Sequence, residues 1–280
     1  MVELPRAQGG TRLGCIPDAP DDRDFRFEDS VLLGATPAIT TAEIDLEALV
    51  PPIDNQGQQN CCAYATEAGV VGVTTGAGVD VTQFSPSGRF SVPFFYTNAR
   101  LLEVPKGGKV ELVDRGSSLR LMFKSVAPRT DGSRAGYGLV TREELPDVPE
   151  NVNKIPYEDL YREGEGLIVT RYERIPDGMA SPEGLRMALR RKHFPTIAMQ
   201  WDEKAAQIGS RVYDSPGGTV YGGHALLVIG YSPILDAFKV RNSHGLDFGF
   251  RGHLWLASSF VASGTFDKWV FLMGPKRVHA

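Results

Sequence analysis

From Ala63 to Thr74 the chain is a run of small and apolar residues with one charge, Glu67. A helix without a polar face is stable only when the rest of the chain surrounds it. The segment therefore predicts a helix inside a lobe, closed by Gly76-Ala77-Gly78. Directly ahead of it stands Asn55-Gln56-Gly57-Gln58-Gln59-Asn60-Cys61-Cys62. Two cysteines thus fall at the N-terminal end of a buried helix, where the helix dipole favours a thiolate.

A chain of 280 residues is long enough for one large domain or two closely packed lobes. Its apolar share of 42% and charged share of 23% are those of a globular protein. The net charge is −4, with no basic run and no basic–aromatic interleaving, so no nucleic acid is expected as a partner. The longest apolar run, Ala225 to Tyr231, is far shorter than a membrane span; it predicts a buried strand and no transmembrane segment. The N-terminus has no apolar signal region, which points to a cytoplasmic protein or one exported by a non-Sec route. Leu13-Gly14-Cys15 lacks the hydrophobic lead of a lipid-attachment site. Three cysteines, two of them adjacent, do not make a disulfide framework, and reduced thiols are expected.

Residues 1–43 are rich in Pro, Gly, Asp and Arg and predict an extended arm with turns. The arm nevertheless carries Ile16, Phe25, Phe27, Val31, Leu32 and Leu33, which predicts that part of it docks on the body. Ser117 or Ser118 caps an amphipathic helix with apolar positions 119, 122, 123 and 126. Thr141-Arg142-Glu143-Glu144 caps a short turn. Near residue 167 the composition changes. Leu167 to Ile175 predicts one strand, and Ser181-Pro182 opens a helix to about Lys192 with Ser181 as its N-cap. Strands follow at 194–200, 225–231, 237–241 and 252–257. The charged, Gly-rich stretch Asp202 to Thr219 predicts a flexible flap. The fold class is α+β: a helical half followed by a half rich in antiparallel strands curled like a barrel.

Two later pieces bear on chemistry: Gly222-Gly223-His224-Ala225 at the head of the apolar run, and Val240-Arg241-Asn242-Ser243-His244-Gly245. With residues 55–66 they supply a thiol, an imidazole, an amide to orient the imidazole and an amide to stabilise an oxyanion. That is the equipment of a cysteine acyl-transfer enzyme. The three blocks, in this order, resemble the papain-like cysteine peptidases, a bacterial-type member in particular. The resemblance covers roughly residues 45–272, with a fainter echo from Ile16-Pro17-Asp18 to Arg23-Asp24.

The resemblance implies a two-lobed fold, with a helical lobe at about 44–166 and a β-rich lobe at about 167–275. It implies a cleft between the lobes, with the thiol on the helical side and the imidazole on the other. It implies Cys62 as nucleophile, because the family's oxyanion Gln precedes its Cys by six positions, and Gln56 stands six before Cys62. That spacing selects Cys62 over Cys61, and Gln56 over Gln58 and Gln59. His224 is then the base and Asn242 its orienting amide, while Gly116, Ser117 and Gly223 line the substrate site. No metal and no organic cofactor are implied. The partner is a peptide or protein substrate, and the protein a monomer. The arm at 1–43 becomes a short prosegment or lid, with Asp29 to Thr40 passing near the cleft.

The chain departs from the family in two places. Ala63 stands where an aromatic usually follows the Cys, and His244 stands where a Trp usually shields the His–Asn pair. His244 is expected to stack there and, as a titratable group, to alter the pH dependence. Cys62 to His224 spans 162 residues, against roughly 130–150 in papain relatives, which implies insertions at 127–166 and 202–222. The alternatives on the same residues are an amide or isopeptide hydrolase or transferase, and a peptide-binding protein without catalysis.

Overall fold

The computed structural model describes residues 13–22, 24–27, 42–57, 59, 63–104, 108–127, 137–169, 171–272 and 274–277. Cys61, Cys62 and Gln58 lie outside these residues, as does the stretch from Asp29 to Thr40. In chain order the elements are β1 (Ile44–Asp45), α1 (Ala63–Gly76), α2 (Val92–Leu101), α3 (Leu119–Ser125) and α4 (Glu158–Glu165). Then come β2 (Leu167–Val169), β3 (Tyr172–Arg174), α5 (Ser181–Arg190), β4 (Thr196–Asp202) and α6 (Glu203–Ala206). The chain ends with β5 (Val212–Tyr213), β6 (Val220–Ser232), β7 (Ala237–Arg241), β8 (His253–Ala257), α7 (Ser258–Gly264), β9 (Thr265–Phe271) and β10 (Pro275–Arg277).

Helix α1 is the interior element its composition demands. Every residue from Ala63 to Thr74 is buried, and the helix packs on α2, α3, β4, β6 and β9. Its glycines set the approach. A Cβ at Gly72 would lie 2.8 Å from the Phe194 ring, just ahead of β4. Around it, α2 starts at an N-cap, Ser91, that accepts from the Phe94 N–H, and α3 starts at Ser118, which accepts from Leu121.

The main sheet runs β3-β9-β4-β6-β7-β8-β5, with β1 added along β6. Its pairings are antiparallel except β5–β8 at one edge. The run Ala225–Tyr231 is apolar throughout because both faces of β6 are covered. Ala225, Leu227 and Ile229 pack into the core around α1, while Leu226 and Val228 pack into a second core with α5 and α7 residues. A bulge between Val228 and Gly230 shifts the alternation, and Tyr231 joins the second core.

Three local expectations differ from the structure. The stretch Leu167 to Ile175 is two strands in two sheets: β2 pairs with β10, and β3 with β9. Ser181 is the first residue of α5, not its cap; its hydroxyl donates to the Pro176 carbonyl at 2.7 Å, and a 3₁₀ turn at Gly178–Ala180 leads directly into the helix. The stretch 203–219 is not a loose flap. The buried Asp202 carboxylate accepts from Ala205 N–H (2.8 Å), Tyr213 O–H (2.7 Å) and Gly217 N–H (2.6 Å), and so pins α6, β5 and the following turn. The Thr141–Glu144 turn is as expected, with the Thr141 N–H donating to Glu144 Oε2 at 2.8 Å.

Candidate active site

His224 stands on β6, opposite Met199 of β4, with two glycines ahead of it. Its Nε2 lies 2.7 Å from Asn242 Oδ1, just past the end of β7. The polarity follows from a second bond. Ser243 N–H donates to the same Oδ1 at 2.7 Å, so that atom is the acceptor and His224 Nε2 carries the hydrogen. The other ring nitrogen, Nδ1, is then the lone-pair atom. His224 is buried, and desolvation pushes its pKa down to about 4 although the Asn242 bond opposes this. In this covered state the imidazole is neutral.

Gln56 reaches the same place from the other half of the chain. The loop before α1 is zipped to the loop after β7. Gln56 N–H donates to Ser243 O (2.8 Å), Gly245 N–H donates to Asp54 O (2.9 Å), and Asn55 bridges His244. Gly57 turns the chain at φ +56°, closed by its N–H to Asn55 Oδ1. The Gln56 side chain is fixed at both ends. Ser243 Oγ–H donates to Oε1 at 2.5 Å, and Nε2 donates to the Gln59 carbonyl at 2.9 Å.

The aromatic cover differs from expectation. His244 does lie over His224, with ring centroids 4.6 Å apart and planes 31° apart. However, burial first, and then the His224 charge, drive its pKa to about 2. With the site covered as it is here, the ring is neutral. The indole comes from β4: Trp201 stands edge-on to His224 (4.7 Å) and to His244 (5.5 Å), with Phe248 closing the cluster. Trp201 belongs to the alternating face of β4, and its sequence carries no other signal.

Beneath the loop lies a charge network that was not legible in the sequence. Asp54 pairs with Arg89 (2.7 Å), Arg241 (3.1 Å) and Arg142 (3.4 Å), and Arg89 also holds Glu67 of α1 at 2.9 Å. Burial alone would raise the Asp54 carboxyl; the arginines outweigh it and hold the group below the usual carboxylate range. Arg241 Nη2 also donates to the Pro52 carbonyl.

Gly116 and Ser117 face Gly223 across a gap that the arm fills. Ser117 N–H donates to Gly14 O (2.8 Å), Ile16 N–H to Ser117 O (3.0 Å) and Cys15 N–H to Gly223 O (2.9 Å). The arm runs parallel to Ser117, and Leu13 and Cys15 are buried. Both glycines are required by this approach. A Cβ at Gly116 would lie 1.9 Å from Gly14 O, and one at Gly223 1.9 Å from Cys15 O. Tyr96 O–H, itself donating to Asp114, accepts the Gly116 N–H at 2.7 Å and fixes that wall.

Among the described residues, no group of His, Cys, Asp and Glu side chains could hold a metal ion, and no helix is long and apolar enough to cross a membrane. A neutral imidazole held by an amide, beside a second fixed amide, is chemically able to move a proton and to donate to an anion.

No family model matches the chain, and no curated protein matches it in sequence. Solved structures do match in fold. Xylellain, a cysteine protease from Xylella fastidiosa, aligns over 100% of both chains at 23% identity with a TM-score of 0.73. The digestive procathepsin L2 proteinase of Tenebrio molitor larval midgut covers 94% of this chain and 78% of its own, at 17% identity and a TM-score of 0.68. The bromelain protease of Ananas comosus, in complex with the E64 inhibitor, covers 84% and 99%, at 18% identity and 0.55.

Proposed function

The fold is that of the papain-like cysteine proteases, and we propose that the chain is a cysteine peptidase with Cys62 as nucleophile. In this reading His224 Nδ1 takes the Cys62 proton, and the thiolate attacks the substrate carbonyl. The Gln56 amide and the Cys62 N–H hold the oxyanion, a stabilisation worth roughly 2.7–4 kcal/mol per donor. The imidazolium returns its proton to the leaving amine, which departs and leaves a thioester. Water, deprotonated by His224, attacks that thioester and regenerates the thiol. Asn242 keeps Nε2 protonated, and so keeps Nδ1 on the thiol side.

The observation that carries the reading is the Ser243 seam. One residue fixes both the acceptor polarity of Asn242 and the angle of Gln56, so base and oxyanion donor are positioned together. The groove walls support a peptide as substrate, because Ser117 and Gly223 offer main-chain groups that an extended chain can pair with. Here that chain is the arm, and we take residues 13–16 to keep the enzyme latent.

The test is stoichiometric labelling by a thiol-directed epoxide, followed by peptide mapping, together with hydrolysis of a peptide library. Label on Cys62, lost in His224→Ala, with turnover of peptides, is the expected result. Label without turnover would reduce the chain to a peptide-binding protein. Label on Cys61 would move the nucleophile.

A further inference from the structure

The wall that pairs with the arm is not presented by a regular element. Residues 108–116 form no helix or strand, and Val113 and Arg115 are exposed. Yet Ser117, at the end of this stretch, is fully buried and holds the arm by both its N–H and its C=O. Gly116 is the joint between the two. It sits at φ +91°, and the approach of Gly14 O excludes a Cβ. No side chain can therefore be packed to hold it, and its N–H is the handle.

Two side chains of α2, one turn apart, grip this stretch. The buried Tyr96 hydroxyl accepts the Gly116 N–H and donates to Asp114 Oδ1, each at 2.7 Å. Arg100 lies over the Tyr96 ring, 3.9 Å from its centroid. Its Nη1 donates to Val113 O at 2.9 Å and to Asn153 Oδ1 at 2.8 Å. Its Nη2 donates to Val152 O and to Thr97 Oγ1 (3.4 Å), and its Nε to Tyr96 O (3.3 Å). Arg100 is 2% exposed, and none of these acceptors is a carboxylate. The guanidinium serves here as a planar fork, tying α2 to residues 113 and 152–153. Helix α2 is in turn packed on α1, which follows Cys62 in the chain.

We infer that Tyr96 and Arg100 are positioning residues for the substrate: they set the Ser117 N–H and C=O where an extended main chain pairs with them, and so govern the binding of long substrates while taking no part in the chemistry. The inference rests on the peptidase reading for its substrate, whereas the pairing of the arm with Ser117 does not. A purely structural role would lower activity on every substrate alike. A positioning role acts only on substrates that reach Ser117.

The test compares two p-nitrophenyl esters on the full chain. One is the ester of a blocked tripeptide, which reaches Ser117; the other is the acetate, whose acyl group has no amide to pair there. The arm obstructs both, and any loss of folded protein lowers both, so each effect cancels from the ratio of the two kcat/KM values. Tyr96→Phe keeps the ring under Arg100 and removes the hydroxyl. Loss of one neutral hydrogen bond corresponds to about fivefold, so the tripeptide-to-acetate ratio should fall about fivefold, with kcat on the tripeptide unchanged. Arg100→Lys keeps the charge and loses the fork. It is the second variant should Tyr96→Phe fail to fold by circular dichroism, and it should move the ratio the same way. An unchanged ratio in a folded variant, whether both esters fall together or neither moves, would overturn the inference and leave the peptidase reading standing.

If the parent turns over neither ester, the peptidase reading has failed, and the arm tests the wall instead. With Cys61→Ser and Cys62→Ser, Cys15 is the sole thiol, buried in the docked arm. Its alkylation rate, relative to that in denaturant, measures the open fraction of the arm. Tyr96→Phe should raise it about fivefold; an unchanged rate would overturn the positioning of the wall as well.

Discussion

Ser243 joins the two halves of the proposed machinery through one hydroxyl and one N–H. Ser243→Ala removes only the hydroxyl, releasing the Oε1 end of Gln56 while Nε2 still holds the Gln59 carbonyl. A neutral hydrogen bond of this kind is worth about 1 kcal/mol, so kcat/KM should fall about fivefold, mostly in kcat. Gln56→Ala, which removes the donor itself, should lower kcat by about 10²–10³; steady-state kinetics on one peptide would separate the two. Cys62→Ala should abolish hydrolysis while Cys61→Ser retains most of it. A folded but dead Cys61→Ser would show the six-residue spacing from Gln56 to be misread. Because His244 is held neutral, His244→Phe should change the height of the pH–rate profile but not its number of limbs; an ionisation lost in that variant would count against this. That Gln56, His224 and Asn242 come together was legible, because their order lies along the chain. Ser243 as a hinge pin and Trp201 as the shield were not, because each acts on a residue far away in sequence. The neutrality of His244 was hidden for the same reason: burial sets it, and burial is a property of the packed structure.

At the scale of elements, α1 illustrates how packing overrides propensity. Alanine is the better helix former by about 1 kcal/mol, yet Gly72→Ala should destabilise the protein. The new methyl would meet the Phe194 ring at 2.8 Å, and Phe194 is itself buried. Overpacking of this kind costs about 1–3 kcal/mol, which chemical denaturation would read as a lower midpoint at constant m. The lack of a polar face announced that α1 is interior, and the two-sided apolar run announced β6. The break of Leu167–Ile175 into two strands carried no such mark, since both pieces are equally β-branched and only their partners, β10 and β9, divide them. Nor did the charged stretch after Asp202 look anchored. One buried carboxylate with three donors does the anchoring, and a pattern of exposed polar residues conceals it.

Across the whole molecule, Asp54 ties together Arg89, Arg142 and Arg241, residues that lie 35 to 187 positions away. Asp54→Ala would leave Arg241, with 1% of its side chain exposed, as an unmatched buried charge. A loss of about 3–5 kcal/mol in a urea titration is expected. The same tie orders events in time. At roughly 5–20 residues per second, Arg241 leaves a ribosome roughly 10–40 s after Asp54. Until then the loop carrying Gln56 has neither the Arg241 cation beneath it nor the Ser243 seam to close on. The arm, made before either of its partners, pairs with both Ser117 and Gly223 and can dock only after β6 exists. Gly223 precedes Arg241 and Ser243 in the chain, so during synthesis the arm's partners are all made before the proposed catalytic wall can close.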